Sequence, residues 1–334
     1  MQYRKLGKTD LEVSRLGFGA LFVASFAQEV AEESYAAVQR AHELGVNYFD
    51  TAPGYGDSEA VLGDGLSRIG EQVVLSTKLG SRPQPFKPQD KDCLLFSIEE
   101  SLKLLKRDYL DIVLVHEPDR QQVYDWWTDW NTIEGPVLDL LDDLKRQGIV
   151  KYTGIGGTGT TVLAHVVRSG KFDVVLTAFN YSLLYREAAN EIFPAAKETG
   201  TGIILGSPLQ QGATAVRYDD VVANPPFWLS KQRAEQFKAL YAFLDEIEMS
   251  VSEVGLRFAI SNADVDCVLM GANNSKQVEE NVASIEKGTL PSDILKRLDE
   301  ISLMVPFRPY GEPMGIGWSL RTPKDMKWGS LGDI

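Results

Sequence analysis

The sequence predicts an α/β protein folded as a closed (β/α)8 barrel of the TIM type. It forms one domain over residues 1–334, with a short N-terminal hairpin and an irregular C-terminal tail. Three observations carry this prediction. Eight short β-rich runs occur, eight amphipathic stretches alternate with them, and no GxGxxG follows the first run and opens a helix. The last point argues against the open nucleotide-binding sheet, the other topology that such alternation allows.

In chain order, a Gly7-Lys8-Thr9-Asp10 turn sets the opening hairpin. The predicted strands are Arg15–Gly19, Val46–Asp50, Val73–Lys78, Asp111–His116, Tyr152–Gly156, Asp173–Ala178, Gly202–Gly206 and Cys267–Gly271. The predicted helices are Glu29–Leu44, Ser58–Ile69, Gln89–Lys106, Gly135–Gln147, Thr161–Arg168, Arg186–Glu198, Lys231–Asn262 and Ser275–Lys287. Ala36, Ala37, Ala41 and Leu44 fall near helical spacing, and Gly45 stops that helix. Gly154-Ile155-Gly156-Gly157-Thr158-Gly159 is glycine-rich, but it lies mid-chain without the spacing of a phosphate loop and reads as a tight βα turn. One more helix follows Pro291. Residues 306–334, rich in Pro, Gly and aromatics, form a tail placed over the barrel mouth.

Composition narrows the function. Against 34 Lys and Arg stand 47 Asp and Glu, a net charge of −13, which disfavours general binding to nucleic acid or anionic membranes. No apolar run approaches the roughly 18 residues of a membrane span, and the polar start does not read as a signal peptide, so the expected location is cytoplasmic. Cys93 and Cys267 are too distant in sequence for a CxxC knuckle. With only His42, His116 and His165 beside them, a His/Cys metal centre is not expected.

Barrel chemistry gathers at the C-terminal ends of the strands. There the sequence puts Asp50, with Tyr55 in the following loop, then Lys78 and His116. Taken singly, each has a plain structural explanation as a cap, a half-buried ring or a partner for rim carbonyls. Together they suit proton transfer at a carbonyl or alcohol. A free phenol titrates near ~10, and a neighbouring ammonium is expected to lower that value. Asp50 would hold Lys78 charged, and His116 would orient the substrate oxygen. The quartet lacks a redox partner, so a hydride-carrying cofactor is its complement.

The run Asp50-Thr51-Ala52-Pro53-Gly54-Tyr55-Gly56, then Ser58-Glu59, Leu62-Gly63, Ser76-Thr77-Lys78 and Tyr109-Leu110-Asp111 leading into His116, resembles the aldo-keto reductases. So do Gly148-Ile149-Val150-Lys151, Ser207-Pro208-Leu209 and Gln277 to Asn281. The branch it looks most like holds L-galactose dehydrogenase and bacterial aldose or pyridoxal dehydrogenases. The resemblance implies reduction of carbonyls, or oxidation of alcohols and lactols, with a nicotinamide cofactor. It implies Tyr55 as general acid/base, tuned by Lys78 and Asp50, with His116 positioning substrate. It also implies cofactor contacts from Gly19, Ala20, Asp50, Gly156, Gly157, Tyr181, Ser207, Leu209, Gly271, Ala272, Asn273, Gln277, Glu280 and Asn281.

The chain departs from that pattern where it has Gly156-Gly157 for Ser-Asn, Ala178 for a glutamine, and Gly206 for a stacking aromatic. Relatives that use NADP place a lysine and an arginine around the 2′-phosphate, where this chain has Gly271 and Gln277. NAD(H) is therefore expected over NADP(H), with Lys276 a nearby cation that could swing in. The expected substrate is an aldose oxidised to a lactone, or a small aldehyde reduced. Tyr124, Trp126, Trp127 and Trp130, and in the tail Tyr310, Trp318 and Trp328, suit a sugar ring or simple packing equally. The rival readings are a non-catalytic nicotinamide-binding subunit resembling potassium-channel β-subunits, and a metal-dependent barrel hydrolase or isomerase.

Overall fold

Eight parallel strands close into a barrel in a computed structural model that describes residues 1–70 and 73–308. Ahead of the barrel, β1 (Tyr3–Lys5) and β2 (Glu12–Ser14) pair antiparallel across the Gly7 turn. Gly7 adopts φ +50°, and a Cβ there would stand 2.2 Å from the backbone nitrogen of Gly202, so the turn requires glycine. The hairpin closes the floor of the barrel with Leu6 and Val13, which pack among the inward side chains.

The barrel strands are β3 (Leu16–Gly19), β4 (Tyr48–Asp50), β5 (Val74–Leu79), β6 (Leu110–His116), β7 (Val150–Gly157), β8 (Val174–Ala178), β9 (Gly202–Gly206) and β10 (Cys267–Gly271). Each pairs with the next, and β10 closes on β3. Because both faces are covered, the strands read as nearly continuous apolar runs, as in Ile112-Val113-Leu114-Val115. The pleat then sorts them. Ile112 and Leu114 fill the barrel with Tyr48, Leu176, Ile204 and Leu269, while Val113 and Val115 face the helices.

The outer layer holds α1 (Ala31–Glu43), α2 (Ser58–Ser67), α3 (Lys91–Leu105), α4 (Pro136–Arg146), α5 (Thr160–Arg168), α6 (Glu187–Asn190) and α7 (Ile192–Thr199). After these come α8 (Asp219–Ala223), α9 (Lys231–Glu246), α10 (Val251–Ser261), α11 (Ser275–Glu286) and α12 (Ser292–Ser302). Two expected helices are each split. Lys231–Asn262 breaks between α9 and α10, where Glu248 turns left-handed (φ +52°) and the Ser250 hydroxyl accepts from the Glu253 N–H, an N-cap that starts a new helix. Arg186–Glu198 breaks at Glu191 into α6 and α7. The helix after Pro291 is α12. The proposed cover over the mouth, with Tyr310, Trp318 and Trp328, lies outside the described residues beyond Arg308. No helix among the described residues is long and apolar enough to cross a membrane.

Candidate active site

The two-residue pleat that fills the barrel also dictates its top layer. Two positions beyond Gly17, Tyr48, Ser76, Leu114, Gly154, Leu176, Ile204 and Leu269 stand Gly19, Asp50, Lys78, His116, Gly156, Ala178, Gly206 and Gly271. All eight line one cavity of about 400 Å³ at the C-terminal mouth. Three consecutive strands, β4 to β6, supply ionisable groups. The other five supply only glycine or alanine. The mouth is thus half chemistry and half bare wall, and a flat ring can approach the backbone along that wall.

On the polar side, the Lys78 ammonium donates to Asp50 Oδ1 at 2.6 Å and to the Thr51 carbonyl at 2.8 Å. Both side chains of this ion pair are almost wholly buried. Asp50 Oδ2 accepts from the Ser76 hydroxyl at 2.6 Å, and Ser76 in turn accepts from Tyr48 at 2.7 Å. Burial alone would pull the ammonium down, but Asp50 and Tyr55 hold it above its ordinary value, so it is charged.

Tyr55, in the loop between β4 and α2, places its ring 4.8 Å from the Lys78 nitrogen and edge-on to His116, 6.0 Å between centroids. The ammonium does pull on the phenol as the sequence suggested. Burial outweighs it, however, and leaves Tyr55 above its ordinary value. The expected lowering is therefore corrected: the phenol is protonated at neutral pH and stands as an acid.

His116 is pushed well below its ordinary value by burial, with Lys78 and Arg120 adding to the effect, so it is a neutral imidazole. Its Nδ1 is buried without a hydrogen-bond partner, and its carbonyl accepts from the Trp126 indole at 3.2 Å. A neutral imidazole has one donor to offer an oxygen in the cavity. A charged lysine, a protonated phenol and a neutral imidazole around one cavity can deliver a proton to a carbonyl oxygen and hold that oxygen in place.

Of the residues the sequence analysis linked to a cofactor, Gly19, Asp50, Gly156, Gly157, Ser207, Leu209, Gly271, Asn273 and Gln277 also line the cavity. Ala20, Tyr181, Ala272, Glu280 and Asn281 do not. Tyr181 instead packs between Phe193 and Phe258 and hydrogen-bonds Asn262 through its hydroxyl. Ala20 and Ala272 are buried, and Glu280 turns to Lys276. The aromatic loop after β6 is packing. Trp126 and Trp127 are buried, Trp130 lies against His165, and none of them reaches the cavity.

Among the further cavity residues that sequence reasoning missed are Glu117, Arg120, Phe179 and Gln211. Glu117 sits one residue past the end of β6, so its place in the chain is itself a signal of a barrel-mouth residue. Gln211 belongs to a loop in which Ser207, Gln210 and Gln211 all adopt positive φ, and its Oε1 is buried without a partner. Backbone strain gathered at a cavity wall is a mark of function that sequence carries only faintly. Among the described residues no cluster of three or more His, Cys, Asp or Glu could hold a metal ion.

Comparison with known proteins agrees with this geometry. The chain is 30% identical over 329 residues to L-galactose dehydrogenase of Arabidopsis thaliana, covering 95% of this chain and 98% of that one. It is 26% identical to D-threo-aldose 1-dehydrogenase of a Pseudomonas species, over 88% and 95% of the two chains. Its fold is that of a solved aldo-keto reductase from Bacillus halodurans in its holo form, with a TM-score of 0.74 and 23% identity over 93% of this chain and all of the other. Residues 15–303, the whole span from the first barrel strand to the end of α12, match the aldo/keto reductase family, and this chain is an oxidoreductase of that family.

Proposed function

We propose that the protein interconverts an aldose, in its lactol form, and the corresponding lactone, or reduces a small aldehyde, with NAD(H) preferred over NADP(H). The observation that carries this reading is the divided top layer, three ionisable side chains facing five positions that bear at most a methyl group. A nicotinamide dinucleotide, when bound, supplies the hydride acceptor or donor. Gly156 and Gly206 leave room for its ring, and Ser207, Leu209 and Asn273 line the way toward the start of α11.

In the reducing direction Tyr55 gives its proton to the substrate oxygen. Lys78 supports the phenolate left behind, and His116 donates a hydrogen bond that fixes the carbonyl. In the oxidising direction the phenolate takes that proton back. Asp50 keeps Lys78 charged and in position throughout.

Two observations support NAD(H). A Cβ at Gly271 would stand 2.7 Å from Phe22 Cδ2, so a lysine there would have to displace the Phe22 ring. The Gln277 amide oxygen accepts from the Asn273 N–H at 3.1 Å and bears no charge. Lys276 is exposed and 3.8 Å from Glu280.

The test is turnover, followed by nicotinamide absorbance, across aldoses, pyridoxal and simple aldehydes with each dinucleotide. Tyr55→Phe should lower kcat by roughly 10²–10⁴ while dinucleotide affinity stays within a few-fold. An unchanged kcat would remove Tyr55 from the role. Dinucleotide binding without turnover of any substrate would favour the non-catalytic subunit instead.

A further inference from the structure

We propose that Glu117 and Arg120 form a hydroxyl-reading pair that makes the cavity selective for neutral, polyhydroxylated substrates, a reading that rests on the oxidoreductase function above.

Both side chains line the cavity beside His116, and they pair at 3.2 Å. They are 16% and 22% exposed, so the pair is mostly withdrawn from water yet open on the cavity side. The turn that carries them is fastened at both ends. The Glu117 N–H donates to the Gly156 carbonyl at 2.6 Å, extending the β6–β7 ladder by one residue. Asp119, between the two, accepts from the N–H groups of Thr158 at 3.0 Å and Gly159 at 2.6 Å. Glu117 itself is held at φ +52°, a left-handed conformation that costs a glutamate of order 1–3 kcal/mol unless its surroundings enforce it. A strained residue, clamped and aimed at a cavity, is preorganised for a ligand.

The charges decide which ligand. With Glu117 ionised, as at pH 8, an anion would meet Glu117 and a cation would meet Arg120, so neither gains from a pair that is then neutral overall. An apolar substrate would seal the pair from water and give nothing in return. A chain of hydroxyls offers donors to the carboxylate and acceptors to the guanidinium together. The apolar part of the cavity lining includes Phe22, Leu176, Phe179 and Pro208. The Glu117 carboxyl sits at about 7, raised by burial and by Asp119 and lowered by Arg120 and Lys78, and it raises Tyr55 in turn.

Glyceraldehyde and propanal share a carbon skeleton and differ in two hydroxyl groups, so the ratio of their kcat/KM values reads the pair directly. At pH 8 the wild-type ratio should favour glyceraldehyde. Glu117→Leu should lower that ratio by roughly 10–100-fold, chiefly through the KM for glyceraldehyde, and Glu117→Gln, which keeps one acceptor, by less. Thermal unfolding of the variants guards against misfolding, and the isosteric Gln variant carries the test if Leu does not fold. A ratio within threefold of wild type in the folded variants overturns the proposal, as does a wild type that favours propanal. Failure of the wild type to turn over either aldehyde, or any aldose, sinks the oxidoreductase reading itself and the proposal with it.

Discussion

Oδ1 of Asp119 occupies the volume in which a side chain at Gly157 would begin, 2.1 Å from the position a Cβ would take. Asp119 cannot easily leave, because its other oxygen holds the Thr158 and Gly159 N–H groups at the entrance to α5. Gly157→Ala is therefore expected to destabilise the protein by about 1–3 kcal/mol through overpacking. In an Asp119→Ala background the same methyl should cost much less, because the clash is gone. Denaturant midpoints of the four proteins measure the coupling, and additive effects would refute the steric account. Gly156→Ala is the control, with nothing nearer than 3.7 Å to its Cβ, and its stability should stay close to wild type.

The Lys78–Asp50 pair should behave as a unit. Lys78→Met leaves a buried carboxylate with Ser76 as its remaining side-chain partner, and Asp50→Asn leaves a buried ammonium without its counter-charge. Each single change is expected to cost about 3–5 kcal/mol, while the double variant recovers a large part because no uncompensated charge remains. Urea unfolding completes the cycle. Single variants as stable as wild type would mean that water reaches the pair.

Much of the barrel could be read from sequence because its signals are local and repeated. The apolar runs of β5 and β6, and the strand-end positions of Asp50, Lys78 and His116, follow from the pleat alone. What escaped depends on long-range packing. Ser250 reads as one more polar residue in a helical pattern until the backbone turns at Glu248 and makes it a cap. Tyr181 lies near a strand end like the true cavity residues, yet Phe193 and Phe258 draw its ring into the helix layer. The aromatics after β6 offered no means of telling a sugar platform from packing. That choice is made by Phe86 and Phe172, which lie far off in sequence and cover Trp126 and Trp127.

Cofactor preference can be tested by adding the missing charge. Gln277 lines the cavity at the start of α11, and a guanidinium there could reach a 2′-phosphate with two parallel hydrogen bonds. Gln277→Arg is expected to raise kcat/KM with NADPH by roughly tenfold, relative to NADH, for one charge-assisted contact. Gly271→Lys should fail at the same task, because Phe22 fills the space its side chain needs. Comparing the two cofactors at one substrate concentration series decides the matter. A wild type that already prefers NADPH tenfold would overturn the charge argument.

Glu117 gives the protein a pH-dependent stability of predictable sign. Its carboxyl lies at about 7 in the folded chain, against an ordinary value of 4.5, chiefly because it is buried. Between those values the folded protein keeps a proton that the unfolded chain has released, so stability falls as pH rises through the window. After allowance for its partial exposure, the loss should come to about 2 kcal/mol, complete a little above pH 7. Glu117→Gln removes this titration and leaves Tyr55, Lys78, Asp119 and Arg120, the groups that face it, in place. The melting temperature of the variant should therefore gain on wild type steadily from pH 4.5 to 7.5 and then level off. A difference between the two proteins that stays flat across that range would show that the carboxylate is already ionised in the fold, with Arg120 meeting its demand in full.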